Sequence, residues 1–260
     1  MQKKYKGNIL TNIPKHNHTE PALKINKDEI IKVIKSRRSV RVFNNDTVDE
    51  NDLQECLELA LLAPTSSNLQ CWEFYWIKNK EKKKKLKELC LNQSAARTAQ
   101  ELIVCIARID TWDANKKEIL SALEENKSTP LSAIKYYKNI VPLVYTQGLF
   151  SIFGFFKKLI ISIIGLNRPI PREPVSKSDM RVWAHKTTAL ACENLMLALR
   201  AYGYDSCPME GMDSRKIKNM LDLPKKAEIS MVISIGKRAT NGIYGKRFRL
   251  DSKKFIKIIN

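Results

Sequence analysis

The run Leu102-Ile103-Val104-Cys105-Ile106-Ala107 constrains the fold more than any other stretch of the chain. It is continuous, apolar and of strand length, the mark of a strand buried at the centre of a sheet. Ile229 to Ile235 is a second buried strand. Trp72 to Ile77 reads as a third, from its aromatic content and its Lys-Asn boundary. Two segments with helical spacing accompany these strands. Leu53, Cys56, Leu57, Ala60 and Leu61 share one face of a helix that stops at Ala63-Pro64. Ala189, Ala191, Leu195, Met196, Leu197, Ala198 and Leu199 make a helix from Ser178 apolar on most sides. It is therefore expected to be central and buried, with Gly203 as its stop. With 43% hydrophobic residues in 260, the core can be substantial, which excludes global disorder.

The rest of the chain punctuates this frame. Residues 1–26 are polar and aperiodic and read as an arm. Asp28 is a candidate cap for a short helix carrying Ile30, Ile31, Val33 and Ile34 up to Ser36. Phe43-Asn44-Asn45-Asp46 is a turn by composition. Thr47 and Glu50 fit a capping box for the next helix, with Asp49 as a competing cap. Residues 80–91 form a charged surface helix, and Asp213 caps a helix to about Leu221. The segment 112–177 is the least patterned. Its piece from Ile140 to Leu166 is strongly apolar, with Phe150, Phe153, Phe155 and Phe156. Pro142, Gly148, Gly154, Lys157 and Lys158 interrupt it, and it lacks the roughly 20 apolar residues of a membrane span. It reads as a lid over a pocket, ahead of a membrane-surface contact of 140–166. Pro169, Pro171 and Pro174 mark its end as an extended connection.

Charge and cysteine usage narrow the partners. The net charge is +19, from 46 Lys+Arg against 27 Asp+Glu, which favours anionic ligands or surfaces. No nucleic-acid module is present, and the aromatics do not interleave with the basic residues, so nucleic acid is not expected. Six cysteines, at 56, 71, 90, 105, 192 and 207, form no CxxC pair and read mostly as core residues. The three histidines, at 16, 18 and 185, lack metal-ligand spacing, so no metal is expected, and His185 reads as a packed or interface residue. The N-terminus has no hydrophobic signal core, which gives a cytoplasmic expectation.

Three polar stretches carry the functional signal. In Arg37-Arg38-Ser39-Val40-Arg41, an extended backbone turns Arg37, Ser39 and Arg41 one way and Arg38 and Val40 the other. Two guanidinium forks and a hydroxyl on one face suit a phosphate dianion, although a bare arginine cluster is more often simply solvated. Pro64-Thr65-Ser66-Ser67-Asn68-Leu69-Gln70 offers hydroxyls and two primary amides, the donor-acceptor pairs that a heterocycle edge needs, or else an ordinary turn. Tyr204 to Met212 brings Glu210 as an acceptor beside Gly211, whose bare backbone can approach a flat ligand. The competing view is a plain loop. Arg247 and Arg249, near the basic end of the chain, share a face if extended.

Together the stretches RRSVR (37–41), APTSSNLQCW (63–72), GYDSCPMEGMD (203–213) and GKR with RFR (236–249) resemble the FMN-dependent nitroreductase family, in the family's order. The resemblance implies an α+β fold, a mixed sheet packed by helices, in an intertwined homodimer with FMN at the interface. It implies an FMN-binding domain at 27–260, following the arm at 1–26 and containing the lid excursion at about 112–177, both of which are read from the residues themselves. Arg37, Arg38, Ser39 and Arg41 would hold the ribityl phosphate with Arg247 and Arg249. Asn68 and Gln70, with Ser66 nearby, would meet the pyrimidine edge or ribityl chain. Pro208, Met209, Glu210 and Gly211 would lie against the ring, with Glu210 and Gly211 near N5 and no side chain needed as a nucleophile. The implied reaction is ping-pong hydride transfer from NAD(P)H to a nitroaromatic, quinone or other small electrophile. Alternatives are dehalogenation or enone reduction on the same cofactor, a non-enzymatic flavin or anion binder, or a charge-driven nucleic-acid or membrane-surface binder. The family commonly has proline before the tryptophan of the second motif, and here it is Cys71. The apolar excursion has no matched counterpart. No GxGxxG fingerprint is present to indicate the nicotinamide.

Overall fold

The computed structural model describes residues 20–148 and 152–260. Residues 1–19 of the expected arm, including His16 and His18, and Phe150 of the apolar excursion lie outside the described residues. Helices α1 (Lys27–Ser36) and α2 (Glu50–Ala60) precede strand β1 (Trp72–Trp76). Helices α3 (Lys80–Leu89) and α4 (Ser94–Thr98) lead into β2 (Glu101–Arg108). Then come α5 (Trp112–Glu125), α6 (Leu131–Lys135), α7 (Val141–Tyr145) and α8 (Ile152–Ile164), with a π-helical turn at Tyr136–Ile140 joining α6 to α7. The long helix α9 (Lys177–Ala201), β3 (Asp205–Met209), α10 (Ser214–Met220) and β4 (Ala227–Gly236) follow.

The strands pair in the order β1-β2-β4-β3, every neighbour antiparallel. The mixed character expected of the sheet is confined to one parallel bridge, Ser39 to Ser206, where the segment after α1 runs beside β3. Alternation along β2 and β4 explains why the middle of each strand is largely apolar on both faces. Leu102, Val104, Ile106 and Val232 face α3, α4 and α10. Ile103, Cys105, Ile233 and Ile235 face α2 and α9, where they meet Leu53, Cys56, Cys192, Leu195 and Leu199. The α+β expectation and both central strands hold. All six cysteines are buried, and burial pushes the Cys56, Cys71 and Cys90 thiols up to about 12. They are packing residues.

Several boundaries differ from expectation for local reasons. Asn26, not Asp28, caps α1, accepting from the Asp28 N–H. Asp49 caps α2 in place of the Thr47/Glu50 box, because one carboxylate takes the N–H groups of both Asn51 and Asp52. Ser176 caps α9 through the Asp179 N–H, so the helix begins just ahead of Ser178. Gly203 has φ +87 and ends α9 as expected. The Asp205–Met209 part of the third polar stretch is an edge strand, where Pro208 is tolerated because one strand side needs no ladder donor. Lys157 does not lie on a wet face. It is 8% exposed, and its ammonium donates to the Leu143, Val144 and Thr146 carbonyls, closing the C-terminal end of α7. Among the described residues, no helix is long and apolar enough to cross a membrane, and no cluster of three or more His, Cys, Asp or Glu could hold a metal.

Candidate functional site

The segment after α1 is drawn along the edge of the sheet by main-chain bonds. The Val40 N–H donates to Ser206 O (3.1 Å) and the Arg41 N–H to Gly242 O (2.7 Å). Gly242 is needed for this approach, since a Cβ there would come within 2.6 Å of Val42 O. Val40 and Phe43 are buried and anchor the segment, which leaves the polar side chains outward. The result is a cavity of about 240 Å³ lined by Arg37, Arg38, Ser39, Arg41, Arg247 and Arg249, with Tyr244 and Lys246 among its other walls. Strand alternation alone puts Arg38 on the opposite face, whereas the resemblance groups it with the other arginines; it lines the same cavity, because its guanidinium is pulled across to Gly245 O (2.7 Å). Arg247 reaches the Arg37 carbonyl, and Arg41 sits 5.8 Å over the Tyr244 ring. The Tyr244 hydroxyl is itself fixed 2.6 Å from Ser94 Oγ.

This is an unneutralised positive cavity. Arg37 has one carboxylate neighbour, Glu193, at 3.7 Å on the half-exposed flank of α9. Among the described residues, no carboxylate makes an ion pair with Arg38, Arg41, Arg247 or Arg249. Desolvation, then Arg38, Arg249 and Arg37, holds Arg247 below the ordinary guanidinium value. The donor set therefore fits a phosphate dianion, offering planar charged forks, one hydroxyl and no competing anion inside. Not every motif cation contributes. Arg238 of the GKR stretch is committed to the buried Asp205, which also takes Arg200 at 2.7 Å.

The third stretch leaves the same edge. Met209 cannot offer its side chain to a ligand, since it is 3% exposed in the core between the sheet and α10, so only its backbone is available. Pro208 is half-buried, and Glu210 and Gly211 are exposed. Gly211 has no left-handed φ, and its carbonyl accepts from Gln93 Nε2 at 2.7 Å. A Cβ at Gly211 would meet only that nitrogen, at 3.3 Å, so the open space above this backbone is what the glycine preserves.

The second stretch lies elsewhere. Ser67, Asn68 and Gln70 have φ of 55, 51 and 46, a left-handed cluster that costs about 1–2 kcal/mol per residue outside glycine, less at Asn. Hydrogen bonds offset that cost. Ser66 Oγ lies 2.8 Å from the Tyr145 hydroxyl, Ser67 Oγ lies 2.7 Å from the Tyr136 hydroxyl, and Tyr137 donates to Ser67 O. Asn115 Nδ2 donates to Leu69 O at 2.7 Å. The α6–α7 segment, including its π-helical turn, thus clamps the loop, a role that sequence spacing did not reveal. Asn68 and Gln70 remain exposed, while Ser66 is held by Tyr145. A cavity of about 550 Å³ lies beside the loop, walled by Ser66, Ser67, Tyr136, Tyr145, Trp183 and the Pro171–Pro174 connection. Trp183 borders it, and its buried Nε1 has no hydrogen-bond partner among the described residues.

Within one chain these half-sites do not meet. The loop enters β1 at the Trp72–Ala107–Glu228 end of the sheet, whereas Ser206 sits on the opposite edge at the Ile235 end. Strand spacing and rise put the two ends roughly 25 Å apart.

Comparison with known proteins identifies the family. The model of the nitroreductase family matches residues 34–237. The chain belongs to the nitroreductase family. Protein DrgA of Synechocystis sp. is 30% identical over 217 residues, 82% of this chain and 86% of that protein. A protein of Thermus thermophilus named NADH dehydrogenase is 26% identical over 83% of this chain and 89% of its own length. A structure from Exiguobacterium sibiricum, described as a nitroreductase in complex with FMN, superposes with a TM-score of 0.66 at 24% identity. It covers 93% of this chain and all of that one.

Proposed function

We propose that this chain is an FMN-dependent NAD(P)H oxidoreductase that passes hydride to a small electrophile, working as a homodimer. The observation that carries the proposal is the cavity of Arg37, Arg38, Ser39, Arg41, Arg247 and Arg249 with no carboxylate inside it. Like charges gathered this closely repel unless an anion joins them, and a phosphomonoester at neutral pH supplies close to two negative charges. The FMN-bound relative and the relative named as an NADH dehydrogenase support the same cofactor and donor.

FMN, when bound, would supply the hydride chemistry. The arginines and Ser39 would fix its phosphate. Asn68 and Gln70 would offer amide donors and acceptors to its polar edge, and Pro208 to Gly211 would present backbone to its ring. The cavity beside Tyr136, Tyr145 and Trp183 would receive the acceptor and keep water from it. Since the two half-sites lie on opposite sheet edges, one ligand needs the arginine edge of one chain and the Ser66–Gln70 loop of a second. Apolar side chains left in solvent support that second chain. They include Ile30 and Ile34 on α1, Leu190 on α9, and Phe255, Ile258 and Ile259 at the C-terminal end.

The test is the absorption spectrum of the purified protein, followed by heat release of the chromophore and NAD(P)H oxidation with a quinone or nitroaromatic. The expected result is yellow protein releasing about one FMN per chain, with turnover. Colourless protein that refuses added FMN refutes the reading. Flavin bound without turnover would leave a flavin carrier.

A further inference from the structure

We propose that α8 docks this protein on the surface of an anionic lipid bilayer. The proposal goes beyond the oxidoreductase reading and does not depend on it. The residues of α8 are distributed in reverse. Its inward face is Gly154, Lys157 and the half-buried Ile161 and Ile164. Gly154 packs so closely on the Pro174–Val175 connection that a Cβ would meet Val175 O at 2.3 Å. Its outward face is Phe153, Phe155, Phe156, Leu159, Ile160 and Ile163, each 41–68% exposed. At 100° per residue these six span a continuous stripe, broader than a soluble helix turns towards water.

The charge around the stripe names the occupant. From Asn126 to Arg172 the sequence contains seven Lys and Arg and not one Asp or Glu. Lys157 is consumed inside and Lys138 pairs with Glu124. Lys158 and Arg168 are exposed beside the stripe, and Arg172 donates to Ile161 O and Gly165 O at the end of α8. A large apolar stripe flanked by uncompensated cations is the chemistry of an interfacial helix on anionic headgroups. A helix of 13 residues is about 20 Å long, too short to span a bilayer but suited to lie in its surface. A symmetric contact with a second copy through this face would gather the Lys158, Arg168 and Arg172 cations of both chains around one apolar seam, which disfavours it.

The experiment is flotation of the full chain with phosphatidylcholine vesicles, with and without phosphatidylglycerol, alongside its oligomeric state by light scattering. The parent is expected to float with phosphatidylglycerol vesicles and to release in high salt. The triple variant F156S/I160S/I163S alters only exposed side chains and keeps every cation. It should partition at least about a hundredfold less well with an unchanged circular dichroism spectrum. K158Q/R168Q should lose roughly 25-fold, about fivefold per cation. Absence of flotation with phosphatidylglycerol at low salt overturns the proposal. So does a triple variant that floats like the parent, since net charge alone would then hold the protein. A triple variant that turns a non-floating oligomer into a smaller species also overturns it, in favour of a second copy on this face.

Discussion

Replacing Arg37 and Arg41 with glutamine should separate phosphate recognition from everything else the site does. Each guanidinium contact to a phosphate is a charge-assisted hydrogen bond worth about 1.5–3 kcal/mol. The lower value applies here. Arg37 is shared with Glu193 at 3.7 Å, and Arg38, Arg247 and Arg249 remain to screen the loss. Two contacts then sum to about 3 kcal/mol, roughly 150-fold in the dissociation constant of FMN. Riboflavin, which has the ring and ribityl chain without the phosphate, should bind parent and variant within about threefold of each other. The unliganded variant should not be destabilised, because removing Arg37 relieves one of the charges that depress Arg247. The assay is quenching of flavin fluorescence for both ligands, with thermal unfolding of the unliganded proteins. An unchanged FMN-to-riboflavin ratio would refute the assignment of this cavity to phosphate, whatever happened to turnover.

Three further outcomes follow from the geometry. Phenylalanine at both Tyr136 and Tyr145 removes the partners of Ser67 Oγ and Ser66 Oγ, and about 1–3 kcal/mol of local restraint with them. Hydrogen exchange should speed up at residues 65–70 and stay unchanged in β2 and β4, and protection retained at the loop would show that the clamp lies elsewhere. Ile233→Ala removes a fully buried side chain from β4 and should cost about 3 kcal/mol, seen as a lower denaturant midpoint at constant slope. A shift under 1 kcal/mol would mean the core collapses around the gap. Burial alone would raise the Glu228 carboxyl, but its bonds from Arg181 and His185 prevail and hold it below its ordinary value. Its contribution is therefore present above the unfolded carboxylate value, near 4.3, and is lost as pH falls through the lower folded value. Glu228→Gln should lower stability at neutral pH and flatten the acid limb, and parallel acid limbs in parent and variant would contradict this.

What the sequence disclosed depended on how much each residue's pattern had to satisfy. Leu102 to Ala107 had to be apolar on both faces because helices cover both, so β2 was legible, and Ile229 to Ile235 was legible too, with only Ser230 and Ser234 polar. Leu53, Cys56 and Ala60 repeat at helical spacing because one face of α2 meets the sheet. β3 was obscured because Pro208 interrupts its pattern and an edge strand tolerates that interruption. Arg37, Ser39 and Arg41 suggested a shared basic face by residue type and alternation, and the family resemblance added Arg247 and Arg249 to it. The rotation of Arg38 into it came from a main-chain acceptor, Gly245, 207 residues away, and no local pattern reports that. Tyr244 lines the cavity from an irregular segment with no period to read. Tyr136 and Tyr145 escaped for a similar reason, since their hydroxyls act on a loop some 70–80 residues earlier in the chain. The apolar run at 152–164 gave no face by composition, because a helix rich in Phe and Ile looks the same whichever side is packed. The side was decided by Gly154 and Lys157, the residues that fit against Val175 and the end of α7.

If the proposed site is completed by a second chain, the separation of the half-sites should make cofactor retention depend on chain concentration. One chain alone would offer FMN the arginine cavity and the backbone after β3, while the Ser66–Gln70 loop stands roughly 25 Å off at the far end of the sheet. If each ligand is completed by a second chain, binding and association are linked, and FMN should raise the apparent association constant by the factor by which association raises FMN affinity. Dilution should then release flavin while far-ultraviolet circular dichroism stays constant, because the core of β2, β4, α2 and α9 is intrachain. Sedimentation of the same samples should show dissociation at the concentration where flavin is lost. A flavin occupancy independent of concentration, in a protein that sediments as a monomer, would mean that one chain closes the site itself. That would require the Ser66–Gln70 loop to leave its clamp on Tyr136 and Tyr145 and cross the sheet.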